Sequence, residues 1–316
     1  MVRVLGILAG LLMAFVSLWS FGHGFYAYVT SSHEQTVEQR FHEAPRDLAL
    51  ASDGPFGRFD MQQVQRGFQV YSEVCSACHS LKLVAFRDLK EIGYTDAEVK
   101  KIASDWGKKA QVPDVDPKTG EAKGRTPLPS DHFPPPFPNE VAARQANNNA
   151  LPPDLSLMAK AREGGPSYIY SILTGFKDPK TYRNAKGEAL PADHMPSATL
   201  HFNPWFANLN IAMPPPLTTA GQVTYAPGKD NWSPTVDHMA QDVAAFLAWT
   251  AEPRLESRHA AGSVVVVFLL ILSILAFMAY QNIWHGGASR AVRRTGVLDP
   301  RNMAKRDAAI AEGLDT

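Results

Sequence analysis

The segment Cys75-Ser76-Ala77-Cys78-His79 concentrates the reactive side chains of this sequence, and its two cysteines are the only ones in 316 residues. Two thiols separated by two residues and followed at once by an imidazole read as a c-type haem attachment site. Cys75 lies three residues from Cys78 and four from His79, so all three can face one side of a helical turn. Two thioethers would then clamp a porphyrin edge while His79 reaches iron. A thioredoxin-like redox pair would need a βαβ context, and half of a zinc site would need a second Cys or His pair at short spacing. The sequence offers neither. No cysteine is left for a structural disulfide.

The sixth iron ligand separates an electron carrier from a haem enzyme. A Met thioether closes the site and raises the potential, whereas an open site allows ligand chemistry. Of the nine methionines, Met1, Met13 and Met278 are start or membrane residues, Met239 fits an apolar helix face, and Met158 reads as soft core filler. Met195 and Met213 stand in loops before proline. The run Met213-Pro214-Pro215-Pro216 is extended and stiff without internal hydrogen bonds, which favours Met213 as the thioether pressed onto iron. Arg162 and Tyr168 are suited to bind haem propionates through charge-assisted hydrogen bonds. Their plainer roles are a solvated helix-end arginine and a core tyrosine.

The elements that must position these groups are helical. Val64, Phe68, Tyr71 and Cys75 form an apolar stripe that predicts a helix over residues 60–79, carrying the motif. Residues 113–138 are crowded with prolines, which predicts a surface excursion without helix or central strand. Asp154 is expected to cap a helix running through Arg162 and stopped by Gly164-Gly165. Pro166 opens another, ended by Gly175. Residues 176–232 read as loops wrapping something. Ser233-Pro234 is expected to start a helix closed by Pro253. The pattern is all-α, a cytochrome c-like haem domain with long loops in which the cofactor supplies part of the core.

Formal charge is zero, with 31 basic and 31 acidic residues, so nothing marks a nucleic-acid binder. Residues 260–283 carry no charge and are long enough to cross a bilayer core of roughly 30 Å as a C-terminal anchor, with Tyr280, Trp284 and His285 suiting an interfacial belt. Residues 4–21, behind Arg3, read as a signal peptide or an N-terminal anchor. The arginines after the second span place that tail in the cytoplasm and the domain before it outside. The expected order is 1–31 signal peptide or anchor, 32–258 exported haem domain, 259–285 transmembrane helix and 286–316 cytoplasmic tail.

Several runs together resemble one family. They are residues 66–81 around the motif, Leu151-Pro152-Pro153-Asp154-Leu155-Ser156, Arg162-Glu163-Gly164-Gly165, Leu173-Thr174-Gly175, Ile211-Ala212-Met213-Pro214-Pro215-Pro216, and Asp242-Val243 through Ala251-Glu252-Pro253. Over roughly residues 33–287 the chain is similar to bacterial cytochrome c1, the haem subunit of the cytochrome bc1 complex. The resemblance implies one covalent haem c in a chain that is an electron carrier and has no catalytic residues of its own. It implies Met213 as sixth ligand, Arg162 and Tyr168 at the propionates, and Asn147 and Pro152 lining the haem pocket. It implies electrons arriving from the Rieske iron–sulfur protein and leaving to a soluble or anchored cytochrome c, with cytochrome b holding the anchor helix in the inner membrane and the haem domain in the periplasm. Asn149 stands where many members have Gly, and Asn tolerates a left-handed φ. A membrane-anchored haem enzyme or gas-binding cytochrome with an open sixth site is the alternative reading of the residues alone.

Overall fold

A computed structural model describes residues 2–30, 35–225, 234–284 and 308. The N-terminal apolar run continues as helix beyond its hydrophobic stretch, so that α1 spans Val2–Thr30. A short α2 (Val37–Phe41) follows behind a capping box formed by Thr36 and Gln39. The haem-motif helix is shorter than its periodicity predicts. Asp60 caps α3 (Met61–Glu73) through bonds from the Gln62 and Gln63 amides, but the helix ends before the first cysteine. Cys75–Ala77 form a tighter 3-10 turn instead, in which the Cys78 and His79 amides both donate to the Cys75 carbonyl.

Thr95 and Glu98 form a capping box at α4 (Asp96–Trp106). The proline-rich stretch holds neither helix nor central strand, as expected, but it does contain a ribbon in which β1 (Val112–Val115) and β2 (Ala122–Arg125) pair antiparallel. Pro113 is tolerated there because both strands of a two-stranded ribbon are edges, where a missing N–H can face away from the partner. Next come α5 (Glu140–Ala146), capped by Asn139, and α6 (Met158–Ala161). The helix expected from Asp154 to Arg162 is thus a single turn, since the Asp154 carboxylate is used elsewhere. Helix α7 (Gly165–Thr174) carries Pro166 in its first turn and ends at Gly175, as expected. A second two-stranded ribbon, β3 (His201–Phe202) with β4 (Asn210–Ile211), sits in the loop-rich region.

Helix α8 (Val236–Ala251) starts two residues later than expected. Ser233 lies outside the described residues, and the Thr235 hydroxyl accepts from the His238 amide. Helix α9 (Leu255–Trp284) contains a segment, Leu255–Gln281, that is long and apolar enough to cross a membrane, and α1 contains another, Arg3–Thr30. The arginine-rich tail lies outside the described residues except Ala308.

Helices α3 and α8 form the centre of the core. A Cβ on Gly67 would sit 2.0 Å from the Asp242 carbonyl oxygen and 2.7 Å from the Phe246 Cβ, so only glycine lets the helices approach this closely. Around the contact, Phe68, Tyr71, Phe133 and Phe246 pack with centroids 5.6 to 6.3 Å apart, and Phe86 and Trp106 close on Phe133 at 4.1 and 4.8 Å. Such tilted and edge-on pairs add about 0.5–1.5 kcal/mol each beyond the area they bury. Asp242 is fully buried on α8 and receives Arg66 Nε and a second guanidinium nitrogen at 3.1 and 3.2 Å, together with Tyr225 Oη at 2.8 Å.

Candidate haem site

The α3 scaffold ends where the motif begins, and the motif is tied down from both sides. Tyr71, buried on α3, donates its hydroxyl to the His79 carbonyl at 3.2 Å. Ser76 Oγ donates to the Ser72 carbonyl at 2.7 Å. Across the site the segment 153–156 clasps residues 79–83. Ser80 Oγ and the Lys82 amide both donate to Asp154 Oδ2, at 2.8 and 2.9 Å. The Leu155 amide donates to the Ser80 carbonyl at 2.9 Å, and the Leu83 amide to Ser156 Oγ at 3.1 Å.

The decisive bond is His79 Nδ1 to the Pro153 carbonyl at 2.8 Å. A carbonyl only accepts, so the proton sits on Nδ1 and the Nε2 lone pair is left for a metal. A ring nitrogen held by a backbone carbonyl is the usual support of a metal-ligating histidine. Burial pushes the imidazole pKa down, partly offset by the Pro153 bond and the Asp154 charge, which keeps the ring neutral and able to ligate. Both thiols are free and half-buried. Burial pushes the Cys75 thiol up to about 12, with the neighbouring Cys78 adding to it, and Cys78 is raised by burial as well. Among the described residues no group of three or more His, Cys, Asp or Glu converges as a site for a bare metal ion. Two thiols on one turn beside a single tautomer-fixed imidazole fit a covalently held haem.

The other expected residues fall into two groups. Pro152 is half-buried beside Pro153 and therefore borders the His79 bond. Arg162 and Tyr168 meet: burial raises the phenol pKa, while the Arg162 charge and hydrogen bond oppose the rise. Asn147 serves its own helix end, Nδ2 donating to the Ala143 carbonyl at 2.7 Å. The following Asn148 and Asn149 have φ of 50° and 66°, so Asn149 adopts the left-handed φ that its short amide side chain tolerates. Met213 is half-buried just beyond β4. Buried Leu209, at φ 62°, turns the chain into β4, and on the far side Gln222 Nε2 donates to the Pro216 carbonyl at 2.7 Å while Leu217 enters the core.

Three residues do something that the sequence alone did not show. Pro153 supplies the carbonyl for His79. Asp154 acts as a cross-clasp, although the spacing Asp154-Leu155-Ser156 does mark an Asx turn, with the Ser156 amide donating to Oδ1 at 3.0 Å. Arg46 lies over the Trp205 and Tyr170 rings at 4.6 and 5.0 Å and bonds Thr174, pinning the N-terminal segment to α7.

The clasp gives a pH prediction. Burial raises the Asp154 pKa, but the bonds from Ser156, Lys82 and Ser80 outweigh it and hold the carboxyl below its usual range. A depressed folded pKa adds stability above the ordinary carboxylate pKa, and that stability is lost as pH falls through the depressed value. Asp154→Asn is expected to cost about 1 kcal/mol at pH 7, because the group is only partly buried and solvent partly screens its charged bonds. The variant should show a flatter loss of stability on acidification, measured as thermal midpoints from pH 7 to 3.

The chain is matched by the model of the Cytochrome C1 family over residues 50–286. Cytochrome c1 of Rhodospirillum rubrum is 40% identical over 236 residues, covering 73% of this chain and 84% of that one. The mitochondrial cytochrome c1 haem protein of Saccharomyces cerevisiae is 39% identical over 265 residues, 84% of this chain and 80% of its own. A cytochrome b/c1 of Bradyrhizobium diazoefficiens is 40% identical over 253 residues, and there this chain spans 34% of the relative's length. The chain belongs to the cytochrome c1 family, the haem c-carrying electron-transfer subunits of the cytochrome bc1 complex.

Proposed function

We propose that this chain passes single electrons from a Rieske iron–sulfur protein to a soluble or anchored cytochrome c, through one haem c thioether-linked at Cys75 and Cys78 and ligated by His79 and Met213. The observation that carries this reading is the His79–Pro153 bond, which fixes the tautomer and leaves Nε2 to ligate. When bound, the haem supplies a reversible one-electron couple. The residues do the rest. His79 stays neutral and oriented, and the clasp of Asp154 and Ser156 keeps the motif from moving as the charge on iron changes. Arg162, with Tyr168, offers a guanidinium and a hydroxyl to the propionates, while Asn147 and Pro152 line the pocket.

Met213 would supply a thioether ligand to the haem iron. Its support is the flanking architecture: a two-stranded ribbon before it and a proline run anchored by Leu217 after it, which leave the thioether little freedom. Helix α9 is read as the anchor held by cytochrome b, with the haem domain in the periplasm of a bacterial inner membrane. The arginines between 290 and 306 support that orientation.

The test is a reduced-minus-oxidised spectrum with and without carbon monoxide, on wild type and Met213→Leu. Wild type should ignore the gas. The variant should bind it and lose on the order of 0.1 V of potential, within the roughly 0.8 V span that axial ligands command. Gas binding by wild type would favour the open-site haem enzyme instead.

A further inference from the structure

A closed turn displays a bare phenyl ring at the foot of the anchor helix. Phe56 is 80% exposed, yet the backbone around it is tied down. The Arg58 amide donates to the Ala51 carbonyl at 2.9 Å, the Gly57 amide to the Gly54 carbonyl at 3.3 Å, and Asp53 Oδ2 accepts from the Leu50 amide at 2.7 Å. Gly57 packs so tightly that a Cβ would lie 2.2 Å from the Ser52 carbonyl oxygen. Pro55 stiffens the tip further. The backbone that carries the ring is therefore fixed, with its ordering entropy already lost in folding.

Its position is equally specific. The Phe59 amide donates to Glu256 Oε1 at 3.1 Å, and His259 Nδ1 lies 3.3 Å from the Gly57 carbonyl. Both helix residues sit in the first two turns of α9. The charge-free run begins at the next residue, Ala260, so the turn lies at the level where this helix passes from charged to wholly apolar sequence. The local charges add a third observation. Each nearby carboxylate is already engaged: Asp53 by Leu50, Asp60 by Gln62 and Gln63, Glu252 by Lys160 and Arg258, and Glu256 by Phe59. Exposed Arg58 and Arg254 have no ion-pair partner among the described residues. An exposed aromatic beside an unspent cation, continuous with a membrane-spanning surface, matches the chemistry of the lipid headgroup layer.

We propose that the 51–58 turn docks into the phospholipid headgroup layer, with Phe56 at the headgroup–acyl boundary and Arg58 on lipid phosphate. The haem domain is then seated on the bilayer at a set tilt, where a tether alone would leave it free to rotate. This rests on α9 being a membrane span.

The experiment uses the full haem-loaded chain, in its complex, reconstituted into phosphatidylcholine vesicles. These carry a headgroup-diazirine probe on either phosphatidylglycerol or phosphatidylcholine, and labelled peptides are mapped by mass spectrometry. The 51–58 peptide should label together with the first turns of α9, more strongly with the anionic probe. Arg58→Gln should remove that anionic preference, worth about fivefold for one surface cation. Phe56→Ser, an exposed change that leaves the fold intact, should cut labelling of the turn severalfold while α9 labelling stays constant. Label on α9 with none on the turn overturns the proposal, because another subunit or bulk water then faces Phe56. No label on α9 removes the membrane span itself and the proposal with it.

Discussion

Gly67→Val is expected to prevent the haem domain from reaching a stable native state. The substitution places its first side-chain carbon where the Asp242 carbonyl oxygen already lies, 2.0 Å away, and a backbone atom of a buried helix cannot swing aside. Helices α3 and α8 would have to part along their whole contact. That would loosen the Phe68, Tyr71 and Phe246 packing and lengthen both Arg66–Asp242 bonds. Overpacking alone usually costs about 1–3 kcal/mol. Here the lost polar pair adds to it, so the total is expected above about 4 kcal/mol, the range reached only by a few defined mechanisms. Even Gly67→Ala should lower the thermal midpoint by on the order of 10 °C, at about 2–4 °C per kcal/mol for a domain of this size. Thermal unfolding of the detergent-solubilised chain, followed by haem absorbance and circular dichroism together, checks this. A midpoint within 2–3 °C of wild type for the alanine variant would mean that the helices adjust at little cost.

The second large effect is expected from Arg66→Met. Asp242 has no solvent exposure, and its carboxylate is balanced by the Arg66 guanidinium at 3.1 Å, with the Tyr225 hydroxyl as a further donor. Removing the cation strands a buried charge on one neutral hydrogen bond, which typically costs about 3–5 kcal/mol. The pair itself need not be strongly favourable, because bringing both charges out of water opposes their attraction. Replacing both partners therefore separates the two contributions. Arg66→Met with Asp242→Leu should recover most of the loss, since apolar groups of similar volume often substitute for a buried pair at little cost. Denaturant midpoints of the two singles and the double form the cycle. If the double variant is as unstable as Arg66→Met, the pair contributes attraction beyond the relief of a stranded charge. Either result bears on the site, because Arg66 lies on the helix that delivers Cys75.

Much of the organisation was legible from residue types at fixed spacing. The motif at 75–79, the apolar stripe of α3, the Pro166 start and Gly175 end of α7, and the uncharged run of α9 are local patterns. Each states its own consequence, because helix periodicity, capping and bilayer thickness act over a few residues or one segment. The misses arose where a local pattern left an outcome open that the fold then decided. Asp154 has the chemistry of a helix cap, but the donors of Ser80 and Lys82, more than seventy residues earlier in the chain, claimed its carboxylate. The prolines of 113–138 excluded helix correctly, yet a two-stranded ribbon tolerates proline wherever its missing N–H faces outward.

Tertiary structure alone decided three things. It chose the Pro153 carbonyl as the partner that fixes the His79 tautomer, it made Gly67 the point of closest helix approach, and it brought the Phe56 turn against the foot of α9. In each case two groups far apart in sequence meet, and neither carries a mark of the other. A carbonyl is present at every residue, a glycine suits many turns, and an exposed phenylalanine reads like a buried one until the chain is folded. Spacing along the chain determined which groups could do chemistry; packing across it determined which of them are held still enough to do so.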